Sequence, residues 1–307
     1  MGHDHDHTHG ANKKVLLISF FIISAYMIVE LIGGIMTNSL ALLSDAGHML
    51  SDAISLGVGV LAFSFGEKVA NQSKTYGYKR FEILAAAFNG ITLILIALYI
   101  FYEAYNRFTN PPEVASSGML IIALIGLLVN IFVAWFMMRN SDTDDNLNMR
   151  AAFLHVIGDL FGSIGAIVAA LLIMFFNWAW ADPLASVIVA VLVLVSGFRV
   201  TKDSVHVLME GAPKGIELEE VISSIKQVDK VIDMHDLHIW SVTSGQHLLT
   251  CHVVVDGNLT ITETQAIIDS IDHHMQQLGI GHVTIQIEHR DHAHDRSLLC
   301  NPNWNKS

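Results

Sequence analysis

Six stretches of mainly apolar residues, at about 14–36, 40–66, 81–108, 116–138, 149–176 and 184–206, are each long enough to cross a bilayer. A helix needs about 20 such residues to span the hydrocarbon. No water there satisfies a bare N–H or C=O, so a spanning segment must close its backbone hydrogen bonds internally. The runs read as helices, and their connections agree. Thr37-Asn38-Ser39 is a tight turn, Asn110-Pro111-Pro112 breaks the chain after the third run, and residues 178–183 read as a short interfacial turn with Trp178 and Trp180 at headgroup depth. Only 15% of the 307 residues are charged, against about 25% in soluble domains.

Lys13, Lys14, Lys68, Lys74, Lys79, Arg80, Arg139, Arg150, Arg199 and Lys202 fall on one side of a six-span arrangement, and only Arg107 on the other. An excess of Lys and Arg marks the cytoplasmic side. Both termini are therefore expected in the cytoplasm, in a multi-pass protein of the cell membrane. The start, HDHDHTH, lacks the basic opening of a signal peptide, and no small-residue cleavage site follows. Cys251 and Cys300 both fall in the region assigned to the cytoplasm, so no disulfide framework is expected. Residues 211–307 carry six Lys/Arg against thirteen Asp/Glu, and ten of the seventeen His. That balance argues against a nucleic-acid partner, which needs a basic face, and suits polar parts that meet cations.

After Pro213 the pattern changes to that of a small domain. Residues 216–228 read as an amphipathic helix, 233–240 and 246–255 as strands around the turn Thr243-Ser244-Gly245, 262–278 as a second helix with Thr262 as N-cap, and 282–289 as a third strand. The order αββαβ predicts an α+β domain of ferredoxin-like type. The expected division is a His-rich tail over 1–13, the six-helix membrane domain over 14–208, the small cytoplasmic domain over 209–290, and a loose tail over 291–307.

Ionisable residues inside a membrane helix are costly, so each one is a functional candidate. Two pairs match: His48 with Asp52 in the second run and His155 with Asp159 in the fifth, both His-x-x-x-Asp. A spacing of four puts His and Asp on one helical face, about 6 Å apart along the axis. Two such helices side by side offer two imidazoles and two carboxylates, the set a tetrahedral Zn²⁺ takes, and the carboxylates balance its charge. Either pair alone would read as a helix–helix hydrogen-bonding group; their repetition favours metal. Neutral imidazole binds metal and protonated imidazole does not, so such a site couples the ion to protons. Asp45, a turn before His48, either meets the ion on its way in, supports a ligand from behind, or is a structural acceptor. Glu30 either lines the path or packs helices. Gly33-Gly34, Gly57-x-Gly59 and Gly162-x-x-Gly165 would let helices approach closely. A peptidase of the His-Glu-x-x-His type is excluded because that motif is absent.

The run from Ser39 through Leu-Ala-Leu-Leu-Ser-Asp-Ala-Gly-His-Met-Leu-Ser to Asp52, the second His155-x-x-x-Asp159, Tyr76-Gly-Tyr-Lys-Arg-Phe-Glu82 and His235-Asp-Leu-His-Ile-Trp240 together resemble the cation diffusion facilitator family, closest to its bacterial CzcD-type exporters. The resemblance covers about residues 13 to 290. It implies a homodimeric secondary transporter, not an enzyme, that exports Zn²⁺, with Co²⁺ or Cd²⁺ as further cargo, in exchange for H⁺ or K⁺. It carries the transport-site role onto His48, Asp52, His155 and Asp159, and that of a cytoplasmic site onto His235, His252 and Glu288, where Zn²⁺ would be a regulatory ligand. Cys300, Gln286, His238 and His289 are weaker candidates, and His273 and His274 read as surface residues. His3, His5, His7 and His9 either gather metal at the cytoplasmic mouth, complete the domain site, or are an engineered tag. Lys79 and Arg80 with Glu210 form a hinge charge network or snorkel at the interface. Two family features are missing: residues 67–75 hold no His, and Asp142, Asp144 and Asp145 stand where many relatives carry a His-rich loop. A metal-gated channel and a non-transporting metal sensor remain as rival readings of the same ligands.

Overall fold

The computed structural model describes residues 5–50, 53, 71–140, 147–243, 245–290 and 298–299. The chain divides into two compact units, Met1–Val60 with Ala86–Thr201 and Leu61–Ala85 with Lys202–Ser307.

The first unit is built on helices α1 (His5–Thr37), α2 (from residue 40, described to 50), α3 (Arg80–Thr109), α4 (Ser116–Asn140), α5 (Leu147–Phe176) and α6 (Ala181–Leu208). Among the described residues, α1, α3, α4, α5 and α6 are each long and apolar enough to cross a membrane. The expected second span opens as α2 and then lies largely outside the described residues. Two expected boundaries are corrected. Helix α1 begins at His5, so the His-rich stretch with His5, His7 and His9 stands on helical backbone that continues into the first span. Helix α6 begins at Ala181, so the interfacial turn ends at Trp180; Pro183 falls in the first helical turn, where its missing N–H costs no hydrogen bond.

Large apolar side chains such as Phe21, Phe88, Leu95, Leu128, Phe161 and Leu192 are exposed along the spans, the surface a lipid-facing bundle presents. Inside, small residues let backbones approach. Ala123 of α4, Ala166, Ala169 and Ala170 of α5, and Ala41 and Leu42 of α2 form one buried cluster. At Gly126 of α4 a Cβ would stand 2.1 Å from the Tyr26 hydroxyl, so only glycine admits that side chain.

The start of α2 is held from outside its own helix. Asn38, at φ +56, turns the chain out of α1, a backbone region that Asn tolerates better than most residues. The buried carboxylate of Asp182, in the first turn of α6, then accepts from the Ser39 hydroxyl (2.6 Å), the Leu40 N–H (2.8 Å) and the Ala41 N–H (3.1 Å). The first N–H groups of a helix have no partner within it, and a carboxylate there also complements the helix dipole. Arg107 at the end of α3 completes the clamp: Nη1 lies 3.6 Å from Asp182 and donates to the Asn38 carbonyl at 2.7 Å, while Nε meets Glu103 at 2.9 Å. The single exception to the Lys/Arg bias is thus a buried, paired cation.

The second unit contains α7 (Leu218–Lys226), β1 (Val231–Thr243), β2 (Gln246–Val255), α8 (Ile261–Gln277) and β3 (Ile280–His289), the expected αββαβ order. The sheet runs β1-β2-β3, with β1 antiparallel and β3 parallel to the central β2. Val221 and Ile225 of α7 and Ile267, Ile271 and Met275 of α8 pack on Met234, Leu237, Ile239, Leu249, Cys251 and Val253, so both helices cover one face. The N-cap of α8 is Thr260, not Thr262: its hydroxyl accepts from the Glu263 N–H, and the Glu263 side chain accepts from the Thr260 N–H. Those bonds, with Lys230 at 2.9 Å, hold the Glu263 carboxyl down at about 2. In the segment read as a loose tail, Leu298 packs on the core and its carbonyl accepts from the Leu237 N–H at 2.9 Å.

Replacing Asp182 by Ala removes the acceptor of the first N–H groups of α2 and one of the two carboxylates beside Arg107 in a buried setting, which should cost about 3–5 kcal/mol. Thermal unfolding of the detergent-solubilised chain should show that loss, and a smaller one for Asp182→Asn, which keeps an acceptor oxygen.

Candidate functional site

Helices α2 and α5 meet where polar groups replace the alanine packing. A Cβ at Gly162 would lie 2.6 Å from Asp45 Oδ1, so the Asp45 carboxyl rests directly on the α5 backbone. Asp159, one turn before Gly162, is buried, as is Asp45, and His48 follows Asp45 by one turn. His155 stands on α5 one turn before Asp159 and so on the same helical face; its side chain, like the whole of Asp52, lies outside the described residues.

Glu30 of α1 joins this cluster, a placement the sequence left undecided. It is fully buried, the Tyr26 hydroxyl stands 3.2 Å from its Oε1 and 3.2 Å from the Ile122 carbonyl, and its carboxyl is within electrostatic reach of Asp45 and Asp159. Tyr26 four residues before Glu30 was the available signal, since a buried tyrosine hydroxyl seeks an acceptor. Asn130 of α4 reaches the Ser163 hydroxyl of α5 at 3.4 Å. Carboxyl groups buried close together repel one another when charged, so a cation or a proton beside them is favoured. Of the glycines expected to allow close approach, Gly33, Gly34 and Gly162 do so, Gly165 faces open space, and Gly57 and Gly59 lie outside the described residues.

In the small domain, the three expected side chains converge on the sheet face opposite the helices. His235 of β1 pairs directly with His252 of β2, and Glu288 of β3 pairs with Val254, two residues along and therefore on the same face as His252. His235 Nε2 lies 3.3 Å from Glu288 Oε2, and His252 Nδ1 lies 2.9 Å from Glu288 Oε1. One ligand atom from each falls within 4.8 Å of the others, the only such group of three or more among the described residues. Nitrogen and carboxylate donors at that separation suit Zn²⁺. Gln286 donates to Glu288 Oε1 at 2.8 Å.

The weaker candidates disperse. His238 is hydrogen-bonded to Asp236, and the His289 ring lies over Gly257. His273 is exposed on α8 and His274 half-buried. Burial pushes the Cys251 thiol up to about 12, which makes it a core residue. Cys300, His3, Asp142, Asp144 and Asp145 lie outside the described residues, as do the side chains of His5, His7 and His9. The expected charge network is corrected in its pairing: Arg80 meets Glu210 at 3.1 Å, whereas Lys79 bonds Gln246. Glu82 accepts from Thr243. The Arg80–Glu210 pair is exposed, and such pairs contribute at most about 1 kcal/mol.

Comparison with known proteins agrees with both halves. The family described as "Cation efflux transmembrane domain" matches residues 16–209, and "Cation efflux protein, cytoplasmic domain" matches 213–290. The chain is 61% identical over 302 residues to the "Cadmium, cobalt and zinc/H(+)-K(+) antiporter" of Bacillus subtilis (strain 168), covering 98% of this chain and 97% of that one. It is 41% identical over 287 residues to the "Metal cation efflux system protein CzcD" of Cupriavidus metallidurans (94% and 90% covered). It is 40% identical over 297 residues to the "Zinc transporter ZitB" of Escherichia coli K12 (94% and 93% covered).

The contrast between two glycines tests the α2–α5 contact. Gly162→Ala forces Asp45 off α5 and carries an overpacking cost of about 1–3 kcal/mol, whereas Gly165→Ala meets nothing within 4 Å. Metal export by cells should fall with the first substitution and stay at the parental level with the second.

Proposed function

Because the chain belongs to the cation efflux family, whose members are transporters rather than enzymes, we propose that it exports Zn²⁺ from the cytoplasm in exchange for H⁺ or K⁺, through an intramembrane site made by His48, Asp52, His155 and Asp159. The observation that carries this reading is the buried meeting of α2 and α5, where Asp45 rests on Gly162 beside Asp159. Two His-x-x-x-Asp faces on those helices supply two neutral nitrogens and two carboxylates. Such a set dehydrates a divalent ion and balances its charge in a medium that would otherwise reject it. Glu30 lies within electrostatic reach of Asp45 and Asp159, near the ion's route.

Exchange follows from the donor chemistry. An imidazole that takes a proton gives up its metal. A site reached in turn from the two sides therefore releases Zn²⁺ where protons enter and reloads where they leave. The name of the Bacillus subtilis relative includes both H⁺ and K⁺, which favours proton-linked exchange with K⁺ as a further counter-ion. Co²⁺ and Cd²⁺ are carried as well, since histidine and carboxylate ligands accept both. The chain works as a homodimer in the cell membrane, with both termini and the αββαβ domain in the cytoplasm.

The His235–His252–Glu288 cluster serves as a sensor. Zn²⁺ bound there favours the arrangement of the dimer that loads metal, so cytoplasmic Zn²⁺ raises its own export; a ligand shifts such an equilibrium only by its differential affinity for the two states.

Zn²⁺ uptake into inside-out vesicles under an imposed pH gradient is the primary test. Wild type should accumulate the ion, and Asp52→Ala and Asp159→Ala should fall to the protein-free background; uptake that persists in both would place the transport site elsewhere. In the same vesicles, changing both His235 and His252 to Ala should flatten the dependence of rate on Zn²⁺ while uptake remains. An unchanged dependence would remove the sensor role.

A further inference from the structure

Between His235 and His238 the register of β1 against β2 slips by one residue: His235 pairs with His252, but His238 pairs with Thr250. The extra residue is Asp236, and it holds the left-handed conformation, φ +50. Bulges of this kind turn a side chain that strict alternation would send to the other face. Without it, Asp236 would follow Met234 into the apolar core beneath α7 and α8. With it, Leu237 and Ile239 take the core positions, and Asp236 joins the metal-cluster face.

The two nitrogens of His252 look in opposite directions. Nδ1 faces the cluster, 2.9 Å from Glu288 Oε1, and Nε2 faces Asp236, 3.6 Å from its Oδ2. The other Asp236 oxygen is held by His238 Nε2 at 3.1 Å. A neutral imidazole has one lone pair and one N–H, so only one of its nitrogens can ligate a metal. The partner of the other nitrogen decides which one does so and fixes the ring.

We propose that Asp236 is the positioning residue of the cytoplasmic metal cluster: it accepts the Nε2–H of His252, which leaves Nδ1 as the ligand atom, and is itself steadied by His238. The inference rests on the reading of His235, His252 and Glu288 as a metal site. It assigns His238 to the support of Asp236 and not to the ion. The left-handed backbone is part of the device, because Asp adopts that conformation more readily than most residues and also carries the acceptor. A turn of the His252 ring closes the remaining gap to hydrogen-bond length.

The test uses the full-length chain with His48→Ala and Asp159→Ala, which removes the transport site from the titration. Zn²⁺ binding is measured by competition with a chromophoric chelator, with Glu288→Ala to define the domain site. Asp236→Ala should weaken the Glu288-dependent site by about 10–100-fold at unchanged stoichiometry. Asp236→Asn, whose amide oxygen still accepts from Nε2–H, should recover a substantial part. In Zn²⁺-loaded protein labelled with ¹⁵N-histidine, His252 should carry the metal on Nδ1 and a proton on Nε2. Unchanged affinity in Asp236→Ala, or metal on Nε2 of His252, would overturn the proposal while leaving the metal site in place. Loss of one bound ion in Asp236→Ala would make Asp236 a ligand of a second site and overturn it also. A Zn²⁺ isotherm that Glu288→Ala does not alter would show that the domain holds no such site, and both readings would fall together.

Discussion

Helix α2 depends on a charge it does not contain. Its first N–H groups open in a buried place, and the carboxylate of Asp182 reaches across from α6 to accept from Leu40 and Ala41 and from the Ser39 hydroxyl. Arg107 keeps that carboxylate from being an isolated buried anion. Fixing one end of a helix fixes its rotation about its own axis, and the rotation of α2 decides which way Asp45 and His48 look. A clamp at one terminus, with glycine and alanine packing along α5, therefore sets the polar face of α2 against the polar face of its neighbour.

The two clusters solve one electrostatic problem by different means. In the helical unit, the carboxyl groups of Glu30, Asp45 and Asp159 are buried, with the Tyr26 hydroxyl 3.2 Å from Glu30. Gathering several carboxyl groups away from water is favoured by a cation or by protons beside them. In the αββαβ domain, one carboxylate is shared by two imidazoles and an amide. The carboxylate joins all three side chains, His252 and Gln286 through one oxygen and His235 across 3.3 Å through the other.

Much of this was legible in the sequence, for reasons that can be stated residue by residue. Apolar length gave the spans, and alternation with turn residues gave the strands, because both are local consequences of the solvent that each face meets. What escaped notice was held by partners distant in the chain. Asp182 lies 143 residues from Ser39, and in a sequence it reads only as part of a turn. Arg107 stood out in the sequence only as the one cation on the far side, and it is a buried counter-charge. Glu30 could not be ranked above a packing residue until Tyr26 and Asp45 were seen beside it. The cap of α8 was misplaced for another reason: Thr260-x-x-Glu263 and Thr262-x-x-Gln265 both fit the capping pattern. Only the extended backbone of Thr260 selects the first. The bulge at Asp236 shows in the sequence only as a break in alternation: Met234, Leu237 and Ile239 reach the core, so His235 and Leu237, two residues apart, face opposite sides of the sheet.

The contact of Leu298 with Leu237 bears on how this domain stays soluble. A three-stranded sheet has two open edges, and an open edge recruits other strands. The Leu237 N–H, set in a strand rich in apolar residues, is taken by the carbonyl of Leu298 from the far end of the same chain, and the Leu298 side chain covers part of the core. A chain cut after residue 290 would keep every strand and helix of the domain, yet it would free the Leu237 N–H on that edge for pairing with a strand of another molecule.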